Sequence, residues 1–187
     1  MDQNKSGLVY VISAPSGAGK TSLVKKILRD LTILDVCVSH TTRAPRLGEK
    51  NGQEYFFVSK GEFLEIKNKS GFVEHAEVFG NYYGTSKLEI DRIISTGKSA
   101  LLEIDWQGAR QIKKHFPDQV VGIFILPPTL DILEKRLRLR GKDSEKVIAG
   151  RMKEAEEEMS HANEYNHIII NDDFDLAASE LLSIIKS

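Results

Sequence analysis

Short, continuous apolar runs alternate along this chain with stretches of helical spacing. The first run, Leu8-Val9-Tyr10-Val11-Ile12, carries no polar interruption, as expected of a strand covered on both faces of a sheet. Val120-Val121-Gly122-Ile123-Phe124-Ile125-Leu126 reads the same way and is ended by Pro127-Pro128. Ser99-Ala100-Leu101-Leu102-Glu103-Ile104-Asp105 is an apolar strand closing on an acid, and Ile168-Ile169-Ile170-Asn171 is another strand. Between these runs the spacing turns helical over 20–31, 86–96, 108–115 and 173–185. Thr129 caps a helix with Leu130, Leu133 and Leu137 on its packing stripe, and Gly141 breaks it. A second helix, from near Ser144 to about Ala162, carries Ile148, Met152, Ala155 and Met159 on one face. Strands alternating with helices predict a parallel α/β sheet.

One region departs from that rhythm. After a short strand over 35–39, residues 40–54 are polar, rich in breakers and poor in periodicity. A loop of this length in a compact domain is usually functional or disordered. Tyr55-Phe56-Phe57-Val58 restarts a strand. Ser59 with Glu62 three residues on has the form of a capping box, opening a helix to about Asn68. Residues 71–79 read as a further strand and Gly80-Asn81-Tyr82-Tyr83-Gly84-Thr85 as a turn-rich segment. Residues 40–85 therefore form a small strand-containing insert in the α/β core.

Composition narrows the function classes. With 187 residues and 41% hydrophobic content, the chain suits one domain with inserted subdomains. Its 26 basic and 27 acidic residues leave a net charge of −1, so no global basic excess points to nucleic acid and no polybasic tail to a membrane. The apolar runs are too short for a membrane-crossing helix, and 1–7 lack the pattern of a secretory signal, so a cytoplasmic location is expected. Cys37 is the only cysteine, excluding an intramolecular disulfide, and its setting is that of a buried strand residue. The histidines show no metal-ligand spacing.

The chemistry centres on Ala14-Pro15-Ser16-Gly17-Ala18-Gly19-Lys20-Thr21, between the first strand and the first helix. Strand, glycine-rich loop, Lys-Thr and helix form the phosphate-binding P-loop arrangement. Glycines let successive N–H groups curl inward, and the helix N-terminus adds partial positive charge. Lys20 suits the β- and γ-phosphates, the Thr21 hydroxyl suits Mg²⁺, and Ser22 continues the donor-binding stretch. An ordinary glycine-rich turn would need neither the preceding strand nor the Gly-Lys-Thr sequence. Ala14 stands where the strict pattern has glycine, a small change to a small residue.

Three further groups accompany this loop. Arg43 and Arg46, with Tyr55 shortly after, offer guanidinium forks suited to a phosphate. Arg136 and Arg140 share a helix face at i,i+4 spacing, and Arg151 flanks the stripe of the next helix. Arginines in a mobile lid would reach the transferring phosphate; the plainer alternative is a solvated face among Lys135, Arg138 and Lys142. Glu74, Tyr83, Thr85, Asp105 and Ser39 form the third group, whose carboxylates accept hydrogen bonds and suit a base edge rich in donors.

Along nearly its whole length the chain resembles the guanylate kinases. The resemblance is carried by the P-loop stretch, Ser39-His40-Thr41-Thr42-Arg43-Ala44-Pro45-Arg46, Glu54-Tyr55-Phe56-Phe57-Val58 and Gly80-Asn81-Tyr82-Tyr83-Gly84-Thr85. It continues through Glu103-Ile104-Asp105-Trp106-Gln107-Gly108, Arg136-Leu137-Arg138-Leu139-Arg140-Gly141 and Ile170-Asn171-Asp172-Asp173. It implies a P-loop NTPase-type parallel sheet flanked by helices, with a core over 1–38, 86–128 and 163–187. It further implies an inserted GMP-binding subdomain over 39–85 and a helical lid over 129–162. The implied reaction is in-line transfer of a phosphoryl group from ATP to GMP with Mg²⁺, a step of purine metabolism.

By the same resemblance Ala14 to Ser22 would bind ATP, and Lys20, Arg43, Arg136, Arg140 and Arg151 would be catalytic. Arg43, Arg46, Tyr55 and Tyr83 would hold the GMP phosphate, and Ser39, Glu74, Thr85 and Asp105 would read guanine. Thr21 would ligate the metal, with Asp105 acting through water; Asp105 is left to serve guanine, Mg²⁺ or both. Asn171 would lie near the nucleotides. Glu103 stands where Asp would serve as well. Two other readings remain open here: another P-loop small-molecule kinase, such as a ribose bisphosphate kinase, and a non-catalytic guanylate-kinase-like module that binds protein partners. Whether the protein is a monomer or a homo-oligomer is not legible in the sequence.

Overall fold

The computed structural model describes residues 7–78, 80–139 and 144–187. Its elements follow in chain order. Strand β1 is Val9–Ser13, helix α1 Lys20–Leu28, and strands β2, β3 and β4 are Leu34–Val36, His40–Thr41 and Phe56–Phe57. Helix α2 is Lys60–Asn68, strands β5 and β6 are Phe72–Val78 and Asn81–Ser86, and helix α3 is Lys87–Ser95. Strand β7 is Ser99–Glu103, helix α4 Trp106–His115, strand β8 Val120–Leu126 and helix α5 Leu130–Leu139. Helix α6 is Glu145–Ser160, followed by a 3₁₀ turn at Ala162–Glu164, strand β9 at His167–Ile170 and helix α7 at Phe174–Lys186.

Two sheets form. The larger has five strands in the order β2-β7-β1-β8-β9. Its β2 runs parallel to β7, with Asp35 opposite Ala100, and β8 runs parallel to β9, with Ile125 opposite Ile169. All residues of β1 are buried, which is why its sequence shows no alternation. The smaller sheet has four strands in the order β4-β3-β6-β5. Tertiary contacts group the chain into two compact units. One takes in Ile33–Leu102 and Gln107–Val120 with the start of the chain up to Tyr10. The other takes in Val11–Thr32, Glu103–Trp106 and Val121–Ser187.

Local signals placed most helix ends. Ser59 accepts from the Glu62 backbone N–H and Glu62 closes back onto Ser59, completing the capping box. Ser86 accepts from the Glu89 N–H at the start of α3, and Gly97 ends that helix with φ of 79°. At the start of α5 the Ile132 N–H donates to Thr129 Oγ1 at 3.2 Å. Asp173 accepts from Asp175 and Leu176 at the start of α7. In α5 and α6 the two apolar stripes meet: Leu133, Leu137, Ile148 and Ala155 form one buried cluster, with Leu130 and Met152 against it. Cys37 is buried as expected, but it lies one residue past β2 rather than within a strand. The break at Gly141 lies outside the described residues.

The turn-rich reading of 80–85 is corrected. Only Gly80 turns there, with φ of 73°, and Asn81–Ser86 is strand β6. It pairs antiparallel with β5, Ala76 opposite Tyr83, and with β3, Thr41 opposite Tyr83. Gly84 suggested a turn for the wrong reason. A Cβ there would stand 3.1 Å from Phe63, Phe72 and the Glu74 carbonyl, so glycine suits close packing inside a strand. The ring of Phe63 stacks on Phe72 and Tyr82 at centroid distances of 4.5 and 5.4 Å. Helix α1 also ends at Leu28 rather than 31, and the second strand shortens to Leu34–Val36.

Candidate active site

The residues expected on the donor side gather in the second unit. Gly17 and Gly19 have φ of 99° and 100°, the left-handed region that the curled loop demands. A Cβ at Gly19 would also stand 2.3 Å from Asn171 Nδ2. That amide donates to the Ala18 carbonyl at 2.6 Å, and the Asn171 carbonyl accepts from Arg136 Nη2 at 2.9 Å. Loop, β9 end and α5 are thus tied through one buried asparagine. The other terminal nitrogen of Arg136, Nη1, is buried with no protein partner among the described residues. A buried guanidinium nitrogen without a partner is costly, and an anion is its natural complement. Arg151 Nη1 donates to Ser16 Oγ at 2.7 Å, so a residue of α6 touches the loop itself. Arg140 lies outside the described residues.

Three carboxylates accompany Lys20. Burial lowers the Lys20 pKa, while Glu103, Glu158 and Asp105 oppose the shift. Thr21 Oγ1 donates to Glu103 Oε2 at 3.3 Å. Strand β7 ends at Glu103, so Asp105 lies two residues past the strand rather than at its end. Ser13, which closes β1, donates to the Ile104 carbonyl at 2.7 Å and accepts from the Tyr165 hydroxyl at 2.7 Å. Trp106 stacks on His161 at 3.9 Å between ring centroids.

Glu158 was invisible to sequence reasoning, because a glutamate on a charged helix reads as a solvated face. Burial pushes its pKa up to about 7, with Asp105, Glu154 and Glu157 adding to the rise and Lys20 opposing it. An acid whose folded pKa is raised favours its protonated form in the folded state. Stability therefore falls as pH rises from the unfolded value near 4.5 through about 7, and the cost is fully present above that range. Glu158→Gln is expected to raise the melting temperature at pH 8 and to match the parent near pH 4. Thermal unfolding of both proteins across this range checks it; a constant difference would separate the effect from Glu158 ionisation.

The residues expected on the acceptor side gather in the first unit. Glu74 is only 3% exposed, so its carboxylate must be satisfied inside the protein or by a ligand. Thr85 Oγ1 donates to Glu74 Oε1 at 2.6 Å and lies 2.9 Å from Ser39 Oγ. Glu74 and Thr85 are cross-strand partners of β5 and β6. Tyr83 lies two residues from Thr85 on β6 and shares its face. Its ring meets Tyr55 edge-on at 5.9 Å, and the Arg43 guanidinium lies 5.5 Å from the Tyr55 ring. Ser39, Glu74, Thr85, Tyr83, Tyr55 and Arg43 are thus brought together along one sheet, with Arg46 on the exposed loop beyond β3. Asp105, grouped by the resemblance with the guanine readers, belongs to the other unit.

Gln111 is a second residue the sequence did not mark. Its Nε2 donates to the His75 carbonyl at 2.9 Å and its Oε1 accepts from the His75 N–H at 3.1 Å. The amide takes the place of a neighbouring strand beside Glu74. Glu49 is a third: both its oxygens accept from Arg43 Nη2 at 3.0 Å. No group of three or more His, Cys, Asp or Glu side chains among the described residues could hold a metal ion. No helix among them is long and apolar enough to cross a membrane.

Comparison with known proteins places the chain in a family. The guanylate kinase family profile matches residues 6–187. The chain is 54% identical over 183 residues to a guanylate kinase of Salmonella paratyphi A, covering 97% of this chain and 88% of that protein. It is 53% identical over 183 residues to the guanylate kinase of Escherichia coli K12, with the same coverage. Among solved structures, the guanylate kinase of Anaplasma phagocytophilum superposes with a TM-score of 0.79 at 36% identity, covering 97% of this chain and 86% of that one. A shikimate kinase of Bacteroides thetaiotaomicron matches with a TM-score of 0.51 at 15% identity, covering 96% and 99%, and shares the fold alone. With a P-loop on one unit, a buried carboxylate beside an arginine loop on the other, and this similarity along its length, the chain belongs to the guanylate kinase family.

Proposed function

We propose that this enzyme, a nucleoside monophosphate kinase by its family, transfers the γ-phosphoryl group of ATP to GMP, releasing ADP and GDP. The observation that carries the reading is the buried Glu74 joined to Thr85 and Ser39 beside the Arg43 loop. Guanine offers N1–H and an exocyclic amine to an all-acceptor carboxylate, whereas adenine presents an unprotonated N1. The acceptor atom is a phosphate oxygen, already largely ionised near neutral pH because its second pKa is about 6. No general base is needed. Catalysis is positioning and charge neutralisation around an in-line transfer.

In this reading the P-loop N–H groups and Lys20 hold the ATP phosphates. Arg136, whose Nη1 has no partner among the described residues, and Arg151, with its contact to Ser16, add charge from α5 and α6, and Arg140 would join them. Arg43, Arg46, Tyr55 and Tyr83 hold the phosphate of GMP. The donor set also fits Mg²⁺ arriving with ATP: Thr21 supplies a hydroxyl and Glu103 and Asp105 supply carboxylates, while this ion characteristically keeps waters and phosphate oxygens as its other ligands. Mg²⁺ would neutralise charge on the β- and γ-phosphates when bound. The acceptor region 39–85 and the lid 129–162 are the segments proposed to close, excluding water from the reaction.

The deciding experiment is a coupled assay of ADP release with ATP and a panel of GMP, AMP, UMP and ribose phosphates. Turnover with GMP well above all others is expected. Equal turnover with a sugar phosphate would favour the other P-loop kinase reading, and none with any acceptor would favour a binding module.

A further inference from the structure

The breaker-rich loop that carries Arg43 and Arg46 belongs to no helix or strand over residues 42–50. It has no helical or strand periodicity, and Leu47 and Gly48 are exposed. One carboxylate closes it. Both oxygens of Glu49 accept from Arg43 Nη2 at 3.0 Å, and Oε2 also accepts from the Arg46 backbone N–H at 2.7 Å. The Glu49 N–H returns to the Arg46 carbonyl at 3.0 Å, across Gly48 at φ of 88°. Arg43 Nη1 donates to the Ala44 carbonyl at 2.8 Å. The pair is largely withdrawn from water, with side-chain exposures of 15% for Arg43 and 18% for Glu49. Its guanidinium lies 5.5 Å from the Tyr55 ring and 5.8 Å from Phe57. Burial works against the Glu49 charge, yet the Arg46 N–H and the Arg43 guanidinium hold its carboxyl below the usual range.

Building on the GMP reading of this region, we propose that Glu49 is a positioning residue for the acceptor phosphate. It touches no substrate. It fixes the orientation of the Arg43 fork and the turn that presents Arg46, so both arginines are ordered before GMP arrives. Arg43 offers five N–H donors, and the bonds to Glu49 and Ala44 leave others for a phosphate. A negative group beside a phosphate site carries some repulsion, which water and the Arg43 charge screen. Ordering two long side chains at the moment of binding would weaken affinity by roughly tenfold or more. Pre-ordering outweighs repulsion here because one carboxylate holds both a guanidinium and the backbone of the second arginine.

Glu49→Gln keeps the length of the side chain but removes its charge and one acceptor. Steady-state kinetics should show KM for GMP rising about tenfold, with kcat and KM for ATP within about twofold of the parent. Calorimetry should show the same loss for GMP and none for guanosine, which lacks the phosphate. In an Arg43→Lys background the effect of Glu49→Gln should largely vanish, because the two side chains act as one unit. Unchanged or tighter GMP binding in Glu49→Gln would overturn the proposal, as would an equal loss for guanosine or full additivity with Arg43→Lys. Failure of the parent to phosphorylate GMP would instead refute the substrate reading.

Discussion

Lys20→Met is expected to lower kcat by about 10³-fold while leaving the protein folded. Lys20 opens α1 directly after the left-handed Gly19, so its position is set by backbone that a methionine also accommodates. Burial lowers the Lys20 pKa, and the charges of Glu103, Glu158 and Asp105 oppose that shift. Methionine has a similar apolar stem without the charge, so packing is preserved and electrostatics lost. Removal of a positive group from the transferring phosphate acts mainly on the transition state. The KM for GMP should therefore change far less than kcat. Stopped-time assays at saturating ATP and GMP, with thermal unfolding as a control on folding, make the test. Parental turnover in this variant would remove Lys20 from the chemistry.

Glu74→Gln is expected to lower kcat/KM for GMP by one to two orders of magnitude, corresponding to about 1–3 kcal/mol. The substitution is nearly isosteric, but glutamine places an N–H₂ where the carboxylate accepts. The site then presents a donor to the donors of guanine, or turns that donor on the Thr85 hydroxyl that now gives its proton to Glu74 at 2.6 Å. Either arrangement leaves a buried polar group mismatched, since the residue is almost wholly enclosed. The KM for ATP should be unaffected. Unchanged GMP kinetics would remove Glu74 from base recognition.

These two residues differ in how they could be found. Lys20 announces itself: strand, glycines, Lys-Thr and helix are contiguous, and each part has a local physical reason. The same holds for the Ser59 capping box, the Asp173 cap and the meeting stripes of α5 and α6, where spacing along a helix is spacing on its face. Glu74, Thr85 and Ser39 are far apart in the chain, and only strand pairing makes them neighbours. Family resemblance joined them in advance; periodicity alone did not.

The sequence by itself determined the alternating α/β pattern, the phosphate loop and most helix ends, because those depend on contacts a few residues long. The tertiary structure decided what depends on distant partners. It turned 81–86 from a turn into a strand, since β3 and β5 pair with it and Phe63 and Phe72 pack closely over Gly84. It joined Asn171 to Ala18 and Arg136, placed Glu158 among the charges around Lys20, and closed the arginine loop on Glu49. A charged side chain looks alike in sequence whether it meets solvent or a buried partner; its surroundings exist only once the chain has folded.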